Sequence, residues 1–168
     1  MNIDKLIDYL NVEQIDKYVF VGQSPARPSR IFGGQVLAQC LNAAGRTVDE
    51  DRPAHSLHAY FLRPGNPKKQ ILFEVDPIRD GGSFTTRRII AKQDGIPIFN
   101  MSASFHKLEQ GFEHQMPMPP APQPESVETD EEYWEKHAER LSGVLRPPNH
   151  FPVERRNVHR RDYINPQP

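Results

Sequence analysis

Residues 32–48 read FGGQVLAQCLNAAGRTV, and this stretch decides the fold that the rest of the sequence supports. It contains no proline, and Val36, Leu37, Cys40, Leu41 and Ala44 recur at helical spacing, which predicts one apolar stripe on a helix. Small residues occupy several of its other positions: Gly33, Gly34, Ala38, Ala43 and Gly45. We therefore expect a long central helix over residues 32–48 that packs closely on more than one side.

Four strands are predicted after this helix, because runs of β-branched and aromatic residues alternate with turn sequences. The predicted strands cover residues 55–62, 70–78, 83–92 and 97–105. The turns at 80–82 (DGG) and 94–95 (DG) are short enough to require antiparallel hairpins. A first helix at 3–10 and a short strand at 18–22 precede the central helix. An antiparallel β-sheet wrapped around one long central helix is the hot-dog fold, of the α+β class.

Proline separates the chain into two parts, because ten of its 17 prolines follow residue 115. Residues 116–124 read MPMPPAPQP, which can neither pair regularly in a sheet nor continue a helix. We expect a hot-dog domain over residues 1–112 and a Pro-rich C-terminal linker over residues 113–168. Within the linker, Thr129 and Glu132 have capping-box spacing and predict one short helix near 130–142, ending at Gly143.

Composition excludes several classes of protein. The 21 Lys and Arg against 22 Asp and Glu give a net charge of −1, which argues against a nucleic-acid partner. Cys40 is the single cysteine, so neither an internal disulfide nor a CxxC zinc motif is expected. The seven histidines are scattered, and no metal site is expected. We find no apolar run long enough to cross a bilayer and no signal-peptide pattern, so we expect a cytoplasmic location without membrane insertion.

The start of the central helix is the first candidate site. Gly33 and Gly34, followed by Gln35, leave backbone amides unshielded at the positive end of the helix dipole. Such amides could hold an anion or a carbonyl oxygen that develops negative charge. Close packing or a tight entry turn explains the two glycines equally well.

The strand at residues 55–61 (HSLHAYF) is the second candidate. Alternation places His55 and Leu57 on one face and Ser56 and His58 on the other. No G-x-S-x-G nucleophile elbow occurs in the chain, so a structural role is the preferred interpretation of each histidine.

Two arginine clusters are the remaining candidates. Arg79, Arg87 and Arg88 lie around a hairpin tip and could bind phosphates, although an ordinary solvated turn also accounts for the sequence there. A second cluster, in the linker, is interpreted as a solvated surface: Arg155, Arg156, Arg160 and Arg161.

Five strings, in the same order, resemble the first half of the acyl-CoA thioesterase II family: FGGQVLAQ (32–39), HSLHAYFLRPG (55–65), RDGGSFTTRR (79–88), PIFNMSASF (97–105) and GFEHQMPMP (111–119). The resemblance implies a double hot-dog architecture, in which two tandem domains bind acyl-CoA between them. It further implies hydrolysis of fatty acyl-CoA to free fatty acid and CoA, with no cofactor.

The same resemblance assigns roles to individual residues. It implies that Gly33, Gly34 and Gln35 bind substrate beside the thioester. The hairpin residues Arg79, Ser83 and Phe84 are implied to bind substrate near the domain interface. His55, which opens the HS-x-H string, is implied to be a candidate catalytic residue.

The family's Asp, its Thr or Ser, and its Gln come from the second hot-dog domain, and none of them matches a residue of this chain. We therefore expect the chain to represent the first half only, as a fragment or a short family member. Its apolar face should then pair with a second copy, in a homodimer or higher oligomer.

The sequence leaves two functions open. The leading hypothesis is a thioesterase, and the alternative is a non-catalytic acyl-CoA-binding module that needs a second hot-dog domain. A hot-dog hydratase is disfavoured, because residues 162–166 (DYINP) do not match the D-x-N-P-x-H pattern that such enzymes need.

Overall fold

A computed structural model describes residues 3–25, 30–141 and 153–160 of the chain. Three helices occur in these residues: α1 (Ile3–Leu10), α2 (Gly33–Gly45) and α3 (Asp130–Leu141), with a 3₁₀ turn at Pro124–Ser126. Six strands occur: β1 (Glu13–Asp16), β2 (Val19–Gly22), β3 (Ala54–Phe61), β4 (Ile71–Asp80), β5 (Phe84–Gln93) and β6 (Ile96–His106). The predicted helix stop at Gly143, Arg161 and the 162–166 string lie outside the described residues.

The six strands form one antiparallel sheet in the order β1-β2-β4-β5-β6-β3. The two predicted hairpins, β4–β5 and β5–β6, are confirmed. Asp94 and Gly95 both have positive φ (50° and 76°), the backbone conformation that a two-residue hairpin turn requires. β3 pairs with β6 alone and therefore forms one edge of the sheet.

Strand β1 was not expected from the sequence. All four of its residues are exposed, so they carry no apolar alternation that could predict a strand. The strand forms because Lys17 and Tyr18 turn the chain back, which lets Glu13 and Gln14 pair with Val21 and Phe20. Five expected strands thus become six.

The core lies between α2 and one face of the sheet, which we call the inner face. Of the predicted apolar stripe, Val36, Cys40 and Ala44 are buried, and Leu37 and Leu41 are partly buried against the same core. They pack in one cluster with fully buried strand residues such as Phe73 and Ile89. Helix α2 ends at Gly45, three residues before the expected end, and the amides of Thr47 and Val48 complete its last turn.

The described residues fall into two compact units, one comprising Asp4–Gly111 and the other the residues from Phe112 onward together with Ile3. In the second unit, the predicted capping box at the start of α3 is confirmed. The Thr129 amide donates to the Glu132 carboxylate (2.8 Å), and the Glu132 amide donates to the Thr129 hydroxyl (3.0 Å). The backbone hydrogen bond from Thr129 lowers the pKa of the Glu132 carboxyl.

The interpretation of the linker arginines as a solvated surface is wrong for two of them. Arg156 donates to the carbonyl oxygens of Pro124 and Val127, and Arg160 forms an ion pair with Asp130 (2.9 Å). The guanidinium of Arg160 also lies 4.1 Å from the centre of the Tyr133 ring. These contacts join the segment at 153–160 to the start of α3, a long-range pairing that residue spacing does not reveal.

No helix among the described residues is both long and apolar enough to span a membrane.

The central packing can be tested by truncating Phe73, which is fully buried in the core. We expect Phe73→Ala to lower the free energy of unfolding by about 3–5 kcal/mol, because it removes buried apolar surface and leaves a cavity. The matched control is Phe112→Ala, since Phe112 is fully exposed and its loss should cost less than about 0.5 kcal/mol. Urea unfolding measures both values, and equal losses would contradict the described core.

Candidate functional site

The start of α2 presents two backbone amides. Phe32, in extended conformation, precedes the helix, and no side chain caps it. The amides of Gln35 and Val36 both donate to the Phe32 carbonyl (3.1 and 3.4 Å). In the described part of the chain, the amides of Gly33 and Gly34 have no hydrogen-bond acceptor. They are therefore available to an anion or a carbonyl oxygen at the positive end of the helix.

Aromatic rings lie against both glycines. A Cβ atom at Gly33 would be 2.7 Å from Cε1 of Phe61, and one at Gly34 would be 2.6 Å from Cε1 of Phe32. The Phe61 ring also packs on Phe99, with ring centres 4.9 Å apart, although Phe61 is 63% exposed. Close packing thus explains why glycine occupies these positions, and it places an aromatic ring beside the free amides.

A pocket of about 650 Å³ opens at this helix start, and we call it the α2 pocket. Its lining is mostly apolar, glycine or proline, with two arginines: Arg30, Ile31, Phe32, Gly33, Val36, Phe61, Leu62, Arg63, Pro64, Gly65, Ile98 and Phe99. None of these residues carries a carboxylate, hydroxyl, imidazole or thiol. The α2 pocket can therefore bind an amphiphile, but its described lining supplies neither a nucleophile nor a general base.

Gln35 does not line the α2 pocket. Its buried amide donates to the carbonyl of Gln23 (3.0 Å) and accepts from the Ser24 hydroxyl (3.3 Å). Gln39, one turn later and fully buried, donates to the same carbonyl (2.9 Å). Both glutamines thus hold the segment after β2 against α2, so Gln35 acts on the helix start by positioning the chain around it.

His55 lies on the outer face of the sheet, opposite to the face that strand alternation predicts. The pairing of β3 with β6 shifts by one residue between Ala54 and Ser56, so His55 is the extra residue of a β-bulge. The bulge turns its ring toward Ser104, whose hydroxyl is 2.8 Å from Nε2 of His55. The ring also contacts Phe84 edge-on, with centres 5.7 Å apart.

His55 and the helix start lie at opposite ends of β3. Gly33 faces Phe61, the last residue of the strand, whereas His55 is its second residue. Six residues of strand span about 20 Å. The predicted site residues therefore form two separate groups within one copy of the chain: Gly33 and Gly34 with Gln35 just behind, and His55 with Phe84.

The hairpin at 79–84 continues the His55 group. Phe84 is half-exposed and stacks on His106, with ring centres 4.2 Å apart, and the Ser83 carbonyl accepts the Lys107 amide. The phosphate-binding interpretation is wrong for Arg87 and stays a prediction for Arg88, whose ion pair lies at the exposed surface. Arg87 is buried and pairs with Asp80 (2.7 Å), and Arg88 pairs with Asp76 (2.6 Å). Arg79 is exposed.

Cys40 takes no part in either group. It is fully buried in the core, and burial raises the pKa of its thiol far above the usual range. A thiol that stays protonated is a poor nucleophile, so covalent catalysis by Cys40 does not fit its position.

Three residues of the site were missed from sequence: Arg30, Phe61 and Arg63. The sequence could have indicated them only through their positions beside predicted elements. Arg30 lies just before the central helix, Phe61 is the last residue of the next strand, and Arg63 follows that strand. Only the packing of α2 across the end of β3 brings these segments together.

Residues 23–106, half of the chain, match the family model for the acyl-CoA thioesterase N-terminal domain. The chain belongs to this family. The acyl-CoA thioesterase 2 of Haemophilus influenzae is 38% identical over 164 residues, which cover 97% of this chain and 57% of the relative. The human acyl-coenzyme A thioesterase 8 is 43% identical over 120 residues, which cover 70% of this chain and 38% of the relative. The chain thus spans about half the length, or less, of these relatives.

Solved structures agree with the family and confirm the predicted hot-dog fold. The TesB protein of Mycobacterium avium subspecies paratuberculosis superposes with a TM-score of 0.71 at 38% identity, covering 75% of this chain and 50% of that protein. A hot-dog-fold protein from Alicyclobacillus acidocaldarius superposes with a TM-score of 0.64 at 25% identity, over 74% and 48% of the two chains.

The contact between Gly33 and Phe61 can be tested by a double-mutant cycle. Gly33→Ala places a methyl group on the Phe61 ring, so we expect it to destabilise the wild type more than the Phe61→Ala variant. The expected coupling is about 0.5–2 kcal/mol in the free energy of unfolding, from urea titration of the four proteins.

Gly82→Ala is the control for this cycle, because a Cβ atom there meets nothing within 4 Å. Its cost should be the same with and without Phe61. The described packing is wrong if Gly33→Ala also costs the same in both backgrounds.

Proposed function

We propose that this chain is a hot-dog domain of an acyl-CoA thioesterase, which hydrolyses fatty acyl-CoA to free fatty acid and CoA. The observation that carries the proposal is the α2 pocket, an apolar volume whose lining includes Gly33, the first of the two residues with free amides at the start of α2. An acyl chain fits the apolar walls, and its thioester carbonyl then lies at the helix start.

The helix start suits the electrostatic part of this reaction. Attack of water on a thioester places negative charge on the carbonyl oxygen before the CoA thiolate leaves. Two amides at the positive end of a helix stabilise that charge without reorganising, and removal of one such donor typically costs about 10²–10³ in rate.

The base that activates water has to come from outside the α2 pocket, because none of the pocket's described lining residues can accept a proton at neutral pH. A second hot-dog domain is the proposed source, either elsewhere in a longer polypeptide or in a second copy. The hairpin residues Arg79, Ser83 and Phe84 are proposed contacts for the CoA part, and these roles stay predictions.

The edge strand β3 is the proposed contact with the second copy. Both of its faces are largely exposed, and Leu57, Tyr60 and Phe61 are each more than 40% exposed. An unpaired strand with exposed apolar side chains is prone to pair with another strand. A homodimer formed by two β3 strands would satisfy the free edge and cover this surface.

Antiparallel pairing of two β3 strands would also place the His55 end of one strand beside the Phe61 end of the other. Such pairing continues the sheet, so the His55 ring, on the outer face with Ser104, and the partner's α2 pocket, on the inner face, would lie on opposite sides of it. The catalytic role that the resemblance implies for His55 therefore stays a prediction that this dimer does not explain.

The alternative function is a non-catalytic module that binds acyl-CoA and packs against a separate catalytic domain. This alternative is favoured because none of the described residues that line the α2 pocket can act as a base. A role in fatty-acid metabolism and a cytoplasmic location accompany either function and stay predictions.

The decisive experiment is thiol release from a series of acyl-CoA substrates by the purified chain, at a concentration where its oligomeric state is measured. We expect turnover by the dimer, and a fall of about 10²-fold or more in His55→Ala would assign the general base to His55, since general-base catalysis contributes this much. His58→Ala is the matched control, a histidine three residues along the same strand, and should stay within about twofold of wild type.

Each other outcome assigns the function differently. A folded dimer without turnover would refute hydrolysis by this chain and support the binding module. Turnover that His55→Ala leaves unchanged would refute His55 as the base while retaining the thioesterase.

The proposed interface has its own test, the variant Leu57→Lys. A charge on β3 should raise the dimer dissociation constant more than about tenfold, equal to 1.4 kcal/mol, as measured by sedimentation velocity. Ile15→Lys makes the same kind of change on β1, at the opposite edge, where the side chain is also exposed, and should leave the constant unchanged. An equal effect of both variants would exclude the β3 interface.

A further inference from the structure

Two arginines lie in the α2 pocket among otherwise uncharged residues. Arg63 follows β3, and its Nη1 donates to the carbonyl of Pro97 (2.8 Å), which holds the side chain at the pocket. Arg30, just before α2 in the chain, lines the same pocket. Both side chains are exposed, so their guanidinium groups stand where the pocket meets solvent.

The positive charge of this pair is not compensated. In the part of the chain that the structure describes, neither Arg30 nor Arg63 forms an ion pair with a carboxylate. Other cations of the same unit do: Arg52, Lys69, Arg87, Arg88, Lys92 and Lys107. Two guanidinium groups that form no ion pair among the described residues thus attract an anion beside the positive end of α2.

The inner part of the α2 pocket is apolar. Ile31, Val36, Ile98 and Phe99 line it and are each less than 10% exposed. Its volume of about 650 Å³ lies in the range of small-molecule sites. An alkyl chain would be favoured there, since it removes apolar surface from water.

We propose that the α2 pocket binds free fatty acid, with the alkyl chain against its apolar wall and the carboxylate between Arg30 and Arg63. Planar guanidinium groups suit a carboxylate, because two parallel N–H donors can match its two oxygens. Arg63 keeps donors for this purpose after its hydrogen bond to Pro97. The inference rests on the proposed function, since the fatty acid is the product of that hydrolysis.

Product binding has a consequence for the reaction. A carboxylate held at the mouth of the pocket occupies the helix start that a new thioester carbonyl needs. The fatty acid therefore competes with substrate, and the strength of the two arginine contacts sets how strongly it inhibits.

Isothermal titration of the full chain with dodecanoate, below its micellar concentration, tests the proposal. Dodecanol has the same chain without the charge, and CoA has phosphates without the chain. We expect dodecanoate to bind the wild type at least about tenfold more tightly than dodecanol, because hydrogen bonds to charged groups contribute this much. CoA alone should bind more weakly than dodecanoate.

The variants Arg30→Gln, Arg63→Gln and their combination keep polar side chains of similar reach and remove the charge. The double variant should lose at least about tenfold in affinity for dodecanoate and keep its affinity for dodecanol. Arg88→Gln is the matched control, an exposed arginine that pairs with Asp76 away from the pocket, and should bind dodecanoate as the wild type does.

Three results would overturn the proposal. They are equal binding of dodecanoate and dodecanol by the wild type, no binding of dodecanoate, and loss of CoA affinity without loss of dodecanoate affinity in the double variant. The last result would assign the arginines to the phosphates of CoA. The first two comparisons use only wild-type protein and hold even if a variant fails to fold.

The outcome is separable from that of the thiol-release assay. Dodecanoate binding without turnover would refute the proposed hydrolysis and support the binding site. Turnover without dodecanoate binding would overturn this inference alone.

Discussion

The packing of α2 against the inner face of the sheet is the constraint on which the other features depend. The stripe of Val36, Cys40 and Ala44 is buried there, and apolar burial of this kind is the dominant favourable contribution to folding. At the far end of the helix, buried Arg87 donates to the hydroxyl and carbonyl of Thr47 (both 2.9 Å). Both ends of α2 are thereby positioned, and its first residues lie across the end of β3.

The position of the helix start creates the pocket. Gly33 approaches Phe61 so closely that no side chain fits between them, and the ring rests on Phe99 from the neighbouring strand. Residues before α2 and after β3 then surround one volume, and both segments carry an arginine. An apolar wall, the free amide of Gly33 and two cations meet at one place, which is a binding arrangement for an amphiphilic anion.

The α2 pocket and the His55–Ser104 pair are separated within one copy of the chain. The α2 pocket has donors and positive charge but no described group that accepts a proton, whereas the His55–Ser104 pair lies about 20 Å away along β3 on the outer face. A strand edge with exposed apolar side chains runs between the two groups. The edge therefore matters to the proposed function, because a partner strand would place the ends of the two strands side by side, while the His55 ring and the pocket stay on opposite faces of the sheet.

Local patterns in the sequence determined a large part of this protein. The stripe on α2, the two hairpins with the Asp94–Gly95 turn, and the Thr129–Glu132 capping box each depend on residues close together in the chain, and each is confirmed. The family followed from strings of residues in a fixed order, and the family model supports it.

Tertiary structure alone decided the remaining features. β1 has no apolar pattern and exists through its pairing with β2, and the bulge that turns His55 outward is a property of its register with β6. The α2 pocket joins segments on either side of a helix and a strand, and Arg160 reaches Asp130 from 30 residues away. The physical reason is common to all of them: register and long-range packing depend on which distant surfaces meet, and residue spacing along the chain does not contain that information.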